Sequence, residues 1–307
     1  MKLNLRVDLQ RYITYLEAEN NVSPYTIRNY LNDLRGFFAF LNESNVVNLE
    51  MIEQSDLRRY LTQLQKRGIA KSSMARKLSA IRSLYRYLVR EGLVTSNPVA
   101  STSSPKLTRQ LPDFLSVEEM ERLINAPDVT TPQGQRDKAI LELLYDAGLR
   151  VSELVHLKVQ QVNLGSLEVR VWGKGSKERV ALIGKPAVTA LNNYLSNSRV
   201  KLQGRKNTDA LFLNRYGGVI SQRSIQTMVD KYARQADIRL KVHPHMLRHT
   251  FATHLLDGGA DLRVVQELLG HTSLSSTQIY THVTQTQMRK IYLAAHPRVK
   301  GNIQGGR

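Results

Sequence analysis

Between Thr95 and Pro112 the chain reads TSNPVASTSSPKLTRQLP, eighteen residues with three prolines, four serines, three threonines and neither helical nor alternating periodicity. Stretches of that length and composition are uncommon inside a compact domain, because proline and serine interrupt both helix and strand. The segment therefore divides the 307 residues into two parts, each long enough to bury its own core. The boundaries that follow are a helical domain over 1–100, a linker over 101–112 and a second domain over 113–307.

Ahead of the linker the apolar residues recur at helical spacing. Leu5, Leu9, Tyr12, Ile13 and Leu16 form one stripe, and Ser23-Pro24 supplies a cap and first-turn proline for a second helix through Leu41. A third helix is predicted over Gln54–Lys66 and a fourth over Lys71–Arg90, with Met74, Leu78, Ile81, Tyr85 and Leu88 as its buried face. After the linker the texture is mixed. Ser116 and Glu119 form a capping box for a helix to about Ala126, and a second helix covers about Arg136 to Ala147. LEVRVW (167–172) and RVALI (179–183) flank the basic glycine turn GKGSKE, a β-hairpin pattern. Helices return over about Lys185–Leu202, Ser221–Asp237, His245–Leu256, Leu262–Leu269 and Gln285–Ala295.

Charge narrows the function classes. Lys and Arg outnumber Asp and Glu by 44 to 26, a net charge of +18 with a pI near 10.1, which points to a polyanionic partner. Both parts are basic, +6 in the first hundred residues and +12 in the remainder. Between Arg58 and Arg90 there are ten Lys or Arg and no acidic residue. Arg82, Arg86 and Arg90 fall in one row on the fourth helix, with Arg76 and Lys77 a turn and a half earlier. Like charges at that spacing repel, and an idle surface would intersperse glutamates, so these five residues are expected to contact DNA phosphates. With no cysteine, disulfides, thiol nucleophiles and Cys-ligated metals are excluded. The charged N-terminal residues lack a signal-peptide core and no apolar run is long enough to span a membrane, so a cytoplasmic, nucleoid-associated protein is expected.

Four clusters combine cations or histidines with helix ends or turns: Ala147-Gly-Leu-Arg150-Val-Ser-Glu153, Lys174 on the hairpin turn, His243-Pro-His245-Met-Leu-Arg248-His249, and Leu269-Gly270-His271 followed nine residues later by Tyr280. Each alone is also what an ordinary basic surface presents. The histidines lack an acidic partner at metal-ligand spacing, so no metal is expected. Among thirteen tyrosines, only its place after Gly270-His271 favours Tyr280.

Taken together and in order, the strings AGLRVSEL, VWGKGSKERVALI, PHMLRHTFATHLLDGGADLRVVQELLGH and STQIYTHV resemble the tyrosine site-specific recombinases, the phage-integrase family, and most closely its Xer-type chromosomal members. NNVSPYTIRNYLNDLRGFFAFL and the tail AAHPR fit as well. The resemblance implies a mainly α fold with a small β-sheet: a helical SAM-like core-binding domain and an α+β catalytic domain closing as a C-shaped clamp. It implies Arg150, Lys174, His245, Arg248 and His271 as the catalytic set, Tyr280 as nucleophile and Glu153 as support for the first arginine. Ser176, where asparagine is common, and His243 are slight departures. The implied chemistry is strand exchange through a 3′-phosphotyrosine, with neither ATP nor metal as cofactor, because the bond energy stays in the tyrosyl ester. A phenol with pKa near 10 is scarcely ionised at neutral pH, and surrounding cations favour its phenolate.

The implied partners are double-stranded DNA bearing a dif-like site, three further subunits (identical or paralogous) and a septal DNA translocase, in the service of chromosome-dimer resolution. Gln285–His296, with Met288, Ile291, Tyr292 and Ala295 on one face, would dock on a neighbouring subunit or pack on its own domain. Two other readings stay open: a phage, plasmid or transposon integrase or resolvase, and a non-catalytic basic DNA-binding protein. Compact length, with no arm-binding segment ahead of residue 1, argues against the larger integrases.

Overall fold

The computed structural model describes residues 5–18, 22, 24–44, 46, 48–100, 102–103, 105, 113–172, 178–270 and 284–300. They belong to two units, Met1–Gln110 and Leu111–Arg307. In the first, α1 (Leu5–Ala18), α2 (Pro24–Glu43), α3 (Gln54–Lys66) and α4 (Lys71–Arg90) enclose a core centred on Tyr12, Leu34, Phe37, Leu57 and Tyr85. Local chemistry sets the α3 bounds. Asp56 accepts from the Glu53 N–H at 2.9 Å to close the first turn, and Gly68 takes a positive φ beyond the last. Ser23, the expected cap of α2, lies outside the described residues.

The predicted linker is shorter in space than in composition. Val99 is fully buried, Thr102 is nearly so, and the Arg82 guanidinium donates to the Thr102 carbonyl, so the front of the Pro/Ser/Thr stretch is packed on α4. The basic row is also less lonely than the local sequence suggests. Asp33 on α2, only 2% exposed, accepts from Arg76 and, at 3.1 Å, from Lys77, and Arg90 stacks over the Tyr15 ring. The acidic relief missing from α4 comes from a neighbouring helix.

The second unit contains α5 (Val117–Asn125), α6 (Pro132–Asp146), α7 (Val151–Val155), a three-stranded antiparallel sheet, then α8 (Lys185–Asn193), α9 (Arg199–Gln203), α10 (Gln222–Gln235), α11 (Pro244–Asp257), α12 (Leu262–Leu269), α13 (Gln285–Ala295) and α14 (Pro297–Lys300). The strands β1 (Val162–Asn163), β2 (Glu168–Trp172) and β3 (Glu178–Leu182) lie in the order β1-β2-β3, with Val171 opposite Arg179. Helix α6 runs through the middle of this core; Ile140, Leu141, Leu144 and Tyr145 are all fully buried. It starts four residues earlier than the periodicity suggests, because Thr131 caps it through the Gly134 N–H and Pro132 opens the first turn. The single helix expected over 185–202 is interrupted by a π-turn, Tyr194–Ser198, and both named residues are buried.

Part of the apolar stripe of α13 packs on the core of its own unit, with Met288 and Ile291 half-buried. Tyr292 is 1% exposed and Ala295 4%, and beyond them Arg298 donates to the buried Glu142 at 3.0 Å. No described helix is long and apolar enough to cross a membrane.

Candidate active site

Arg150 stands at the junction of α6 and α7. Gly148, with φ of +54°, ends the approach from α6, and a side chain there would also meet Phe251 at 2.5 Å. Arg150 is the N-cap of α7. Its N–H donates to Glu153 Oε2 at 2.9 Å and its guanidinium to Glu153 Oε1 at 2.8 Å, so one carboxylate fixes both backbone and side chain.

Arg248 reaches the same place from the middle of α11. It is 7% exposed, donates to the carbonyls of Gly148 and, at 2.6 Å, Leu269, and lies 4.0 Å from Glu153 Oε2. Burial first, then the Arg150 charge, push its guanidinium down to about 9, so it remains a cation at neutral pH. Burial would raise the Glu153 carboxyl, but Arg179 and the bonds from Arg150 outweigh it and hold it below the ordinary carboxylate range.

Residues 150, 153 and 248 thus converge although ninety-eight positions separate the two arginines. His245 lies one turn before Arg248, exposed on the first turn of α11. Lys174, His271 and Tyr280 lie outside the described residues. The elements leading to them are described: β2 and β3 flank 173–177, and α12 ends at Gly270, whose φ of +66° is left-handed. Beside Arg150 opens a cleft of about 330 Å³ lined also by His156, Gln161 and Trp172, the last described residue before the hairpin turn.

The roles of two residues in this region were not legible in the sequence. His243 is the N-cap of α11, its Nδ1 accepting from the Met246 N–H at 3.1 Å, so its apparent departure from pattern has a local structural use. Burial, then His245 and Lys241, hold it below the ordinary imidazole range, which suits an acceptor nitrogen. The other is Arg179 on β3. Its Nη2 donates to Glu153 Oε2 at 3.0 Å and its Nη1 to the Leu268 carbonyl at 2.7 Å, making a third guanidinium on one carboxylate. The nearest signal was strand alternation: Arg179 shares the inward register with Ala181 and faces Val171, an unusual place for a cation.

Residues 113–287 match the phage integrase family, and residues 9–92 match the phage integrase N-terminal SAM-like domain. The chain belongs to the phage integrase family. Tyrosine recombinase XerC of Oceanobacillus iheyensis is 46% identical over 300 residues, covering 97% of this chain and 98% of that protein. XerC of Bacillus subtilis is 41% identical over 297 residues, 96% of this chain and 98% of that one. The fold is shared with XerH site-specific recombinase bound to a palindromic difH substrate, at 22% identity and a TM-score of 0.69 over 96% of this chain and 84% of that chain. It is shared too with a lambda integrase dimer bound to a COC′ core site, at 18% identity and a TM-score of 0.66 over 91% of this chain and 99% of that chain. This phage-integrase family member is therefore a site-specific tyrosine recombinase, an enzyme that cuts and rejoins DNA through a tyrosine nucleophile.

Proposed function

We propose that this recombinase exchanges strands at a dif-like chromosomal site, resolving chromosome dimers as a DNA-bound tetramer, with Tyr280 as nucleophile. In the cleavage step Tyr280 Oη attacks the scissile phosphorus, its proton passes to His245, and the bond from phosphorus to the 5′-oxygen breaks. The products are a 3′-phosphotyrosine and a 5′-hydroxyl. Negative charge grows on the non-bridging oxygens, where Arg150 and Arg248, with His271, act as donors fixed in advance. Lys174 protonates the departing 5′-oxygen, a task an arginine performs poorly because it does not release its proton. In religation the 5′-hydroxyl attacks the phosphotyrosine and regenerates the phenol.

The observation that carries this reading is the shared carboxylate that brings the Arg150 and Arg248 segments to one point, in a chain similar over nearly its whole length to XerC recombinases. The chromosomal assignment draws on those same relatives. The test of the nucleophile uses a nicked duplex that traps covalent product. Tyr280→Phe should bind DNA as the wild type does and form no adduct; an undiminished adduct would defeat the assignment. Sequencing the ends trapped by wild-type enzyme on fragmented host DNA should return a single chromosomal locus. Ends inside a phage, plasmid or transposon would replace the chromosomal reading with the mobile-element one.

A further inference from the structure

Arg179 lies inside the hairpin motif but is none of the six active-site positions, and it touches the ends of three segments that carry them. It sits five residues beyond Lys174, at the start of β3. It bonds the carboxylate that holds Arg150, and it bonds the Leu268 carbonyl at the end of α12. Arg248 takes the next carbonyl, that of Leu269. Two guanidiniums thus hold successive carbonyls of the turn that leads to Gly270, at the helix end where partial negative charge gathers. The fit is close on the other side too. A Cβ at residue 270 would lie 2.6 Å from Arg179 Cδ and 2.8 Å from its Nε.

The distances around Glu153 show what this third cation does. Arg179 Nη2 stands 3.0 Å from Oε2, and Arg248 Nη1 stands 4.0 Å from the same oxygen. Arg179 shares that acceptor with the Arg150 N–H, and Arg248 stands farther off. Arg248 keeps its bonds to the Gly148 and Leu269 carbonyls rather than closing on the carboxylate. One negative charge is shared by three guanidiniums, which leaves the buried cluster with a surplus of two positive charges.

We propose that Arg179 is a positioning residue for strand cleavage: by occupying Glu153 and the end of α12, it holds the Arg150–Arg248 pair in the geometry that grips the scissile phosphate. The inference rests on the reading of those two arginines as the phosphate-holding pair. Lysine cannot reproduce it, because a single ammonium does not span two acceptors as a planar fork does.

Single-turnover adduct formation on the nicked duplex, at saturating enzyme, tests it with Arg179→Met and Arg179→Lys. A second duplex carries sulfur at the bridging 5′ position, a leaving group that needs no proton. Both variants are expected to bind DNA within about threefold of wild type, while adduct formation slows about 100-fold in the methionine variant and about tenfold in the lysine variant. The sulfur substrate should leave both ratios to wild type unchanged. Wild-type rates in Arg179→Met would overturn the proposal. So would rate losses that follow loss of folded protein or of DNA binding in both variants, which describe a mere strut. Ratios restored by sulfur would also overturn it, since Arg179 would then act on the leaving group. Tyr280→Phe run alongside separates the two levels: adduct from that variant defeats the nucleophile assignment, whatever Arg179 does.

Discussion

Each unit holds a buried carboxylate bonded to two or more cations, Asp33 in the first and Glu153 in the second, and the two clusters are built differently. In the N-terminal unit Asp33 is held by Arg76 and Lys77, adjacent residues of one helix, with the Arg76 side chain 45% exposed. In the C-terminal unit Glu153 is held by Arg150, Arg179 and Arg248, from three separated segments, with side chains 33%, 14% and 9% exposed. The first is a clamp between α2 and α4 whose excess charge is screened by water. The second keeps surplus positive charge where the dielectric is low, which is what an incoming phosphate rewards. A carboxylate beneath arginines is therefore not in itself a sign of a site. The number of cations, their burial and their separate origins make the difference.

Removing each carboxylate should sharpen that contrast. Glu153→Ala strands three cations in a poorly hydrated place and should lower the stability of the C-terminal unit by about 3–5 kcal/mol, with cleavage lost. Asp33→Ala should cost about 1–3 kcal/mol in the N-terminal unit and leave cleavage per bound complex unchanged. Denaturant titrations paired with adduct assays at saturating enzyme measure both. Cleavage abolished by the Asp33 change at full DNA occupancy would erase the distinction.

Acid should act on the C-terminal unit through His296, which is fully buried and packs against the Tyr145 and Tyr292 rings. Burial, then Arg298 and His254, depress it to about 3. Below about pH 6.5 the unfolded chain takes up a proton at this residue that the folded chain refuses, so its stabilising contribution is lost as pH falls from there toward 3. Asp146, buried 3.8 Å away and pushed up to about 7 by burial and by Glu142, takes up a proton in the folded chain over the same range and opposes this loss, so His296→Phe should leave stability rising as pH falls from 7 toward 5, read by thermal unfolding against pH. A variant as acid-sensitive as wild type would put the effect elsewhere.

The smallest effect is expected on the α4 surface. Arg86 is exposed on the row proposed to face DNA phosphates. Arg86→Ala should make the slope of log affinity against log salt shallower by about 0.9, the share of one phosphate contact, with cleavage of bound DNA unaffected. An unchanged slope would remove Arg86 from the DNA face.

Much of the fold was legible because its signals are local. The bounds of α3, α4 and α12 follow from apolar period, caps and Gly270, and the hairpin from alternation around a glycine turn. The start of α6 was misjudged because Thr131-Pro132 carries the boundary without an apolar residue. Two-residue β1 is too short to alternate. Around the candidate site the motif arginines could be named from the sequence, but the partners that tune them could not. Asp33 meets Arg76 across forty-three residues, and Arg179 meets Leu268 across eighty-nine. Such pairings follow from how helices and sheet pack, which no local window records.

The most direct test of the account is single-turnover cleavage by Arg150→Ala on the nicked duplex. If the cluster around Glu153 presents its arginines to the scissile phosphate, adduct formation falls about 10²–10³-fold while DNA affinity changes only a few-fold. Adduct forming at the wild-type rate would contradict it.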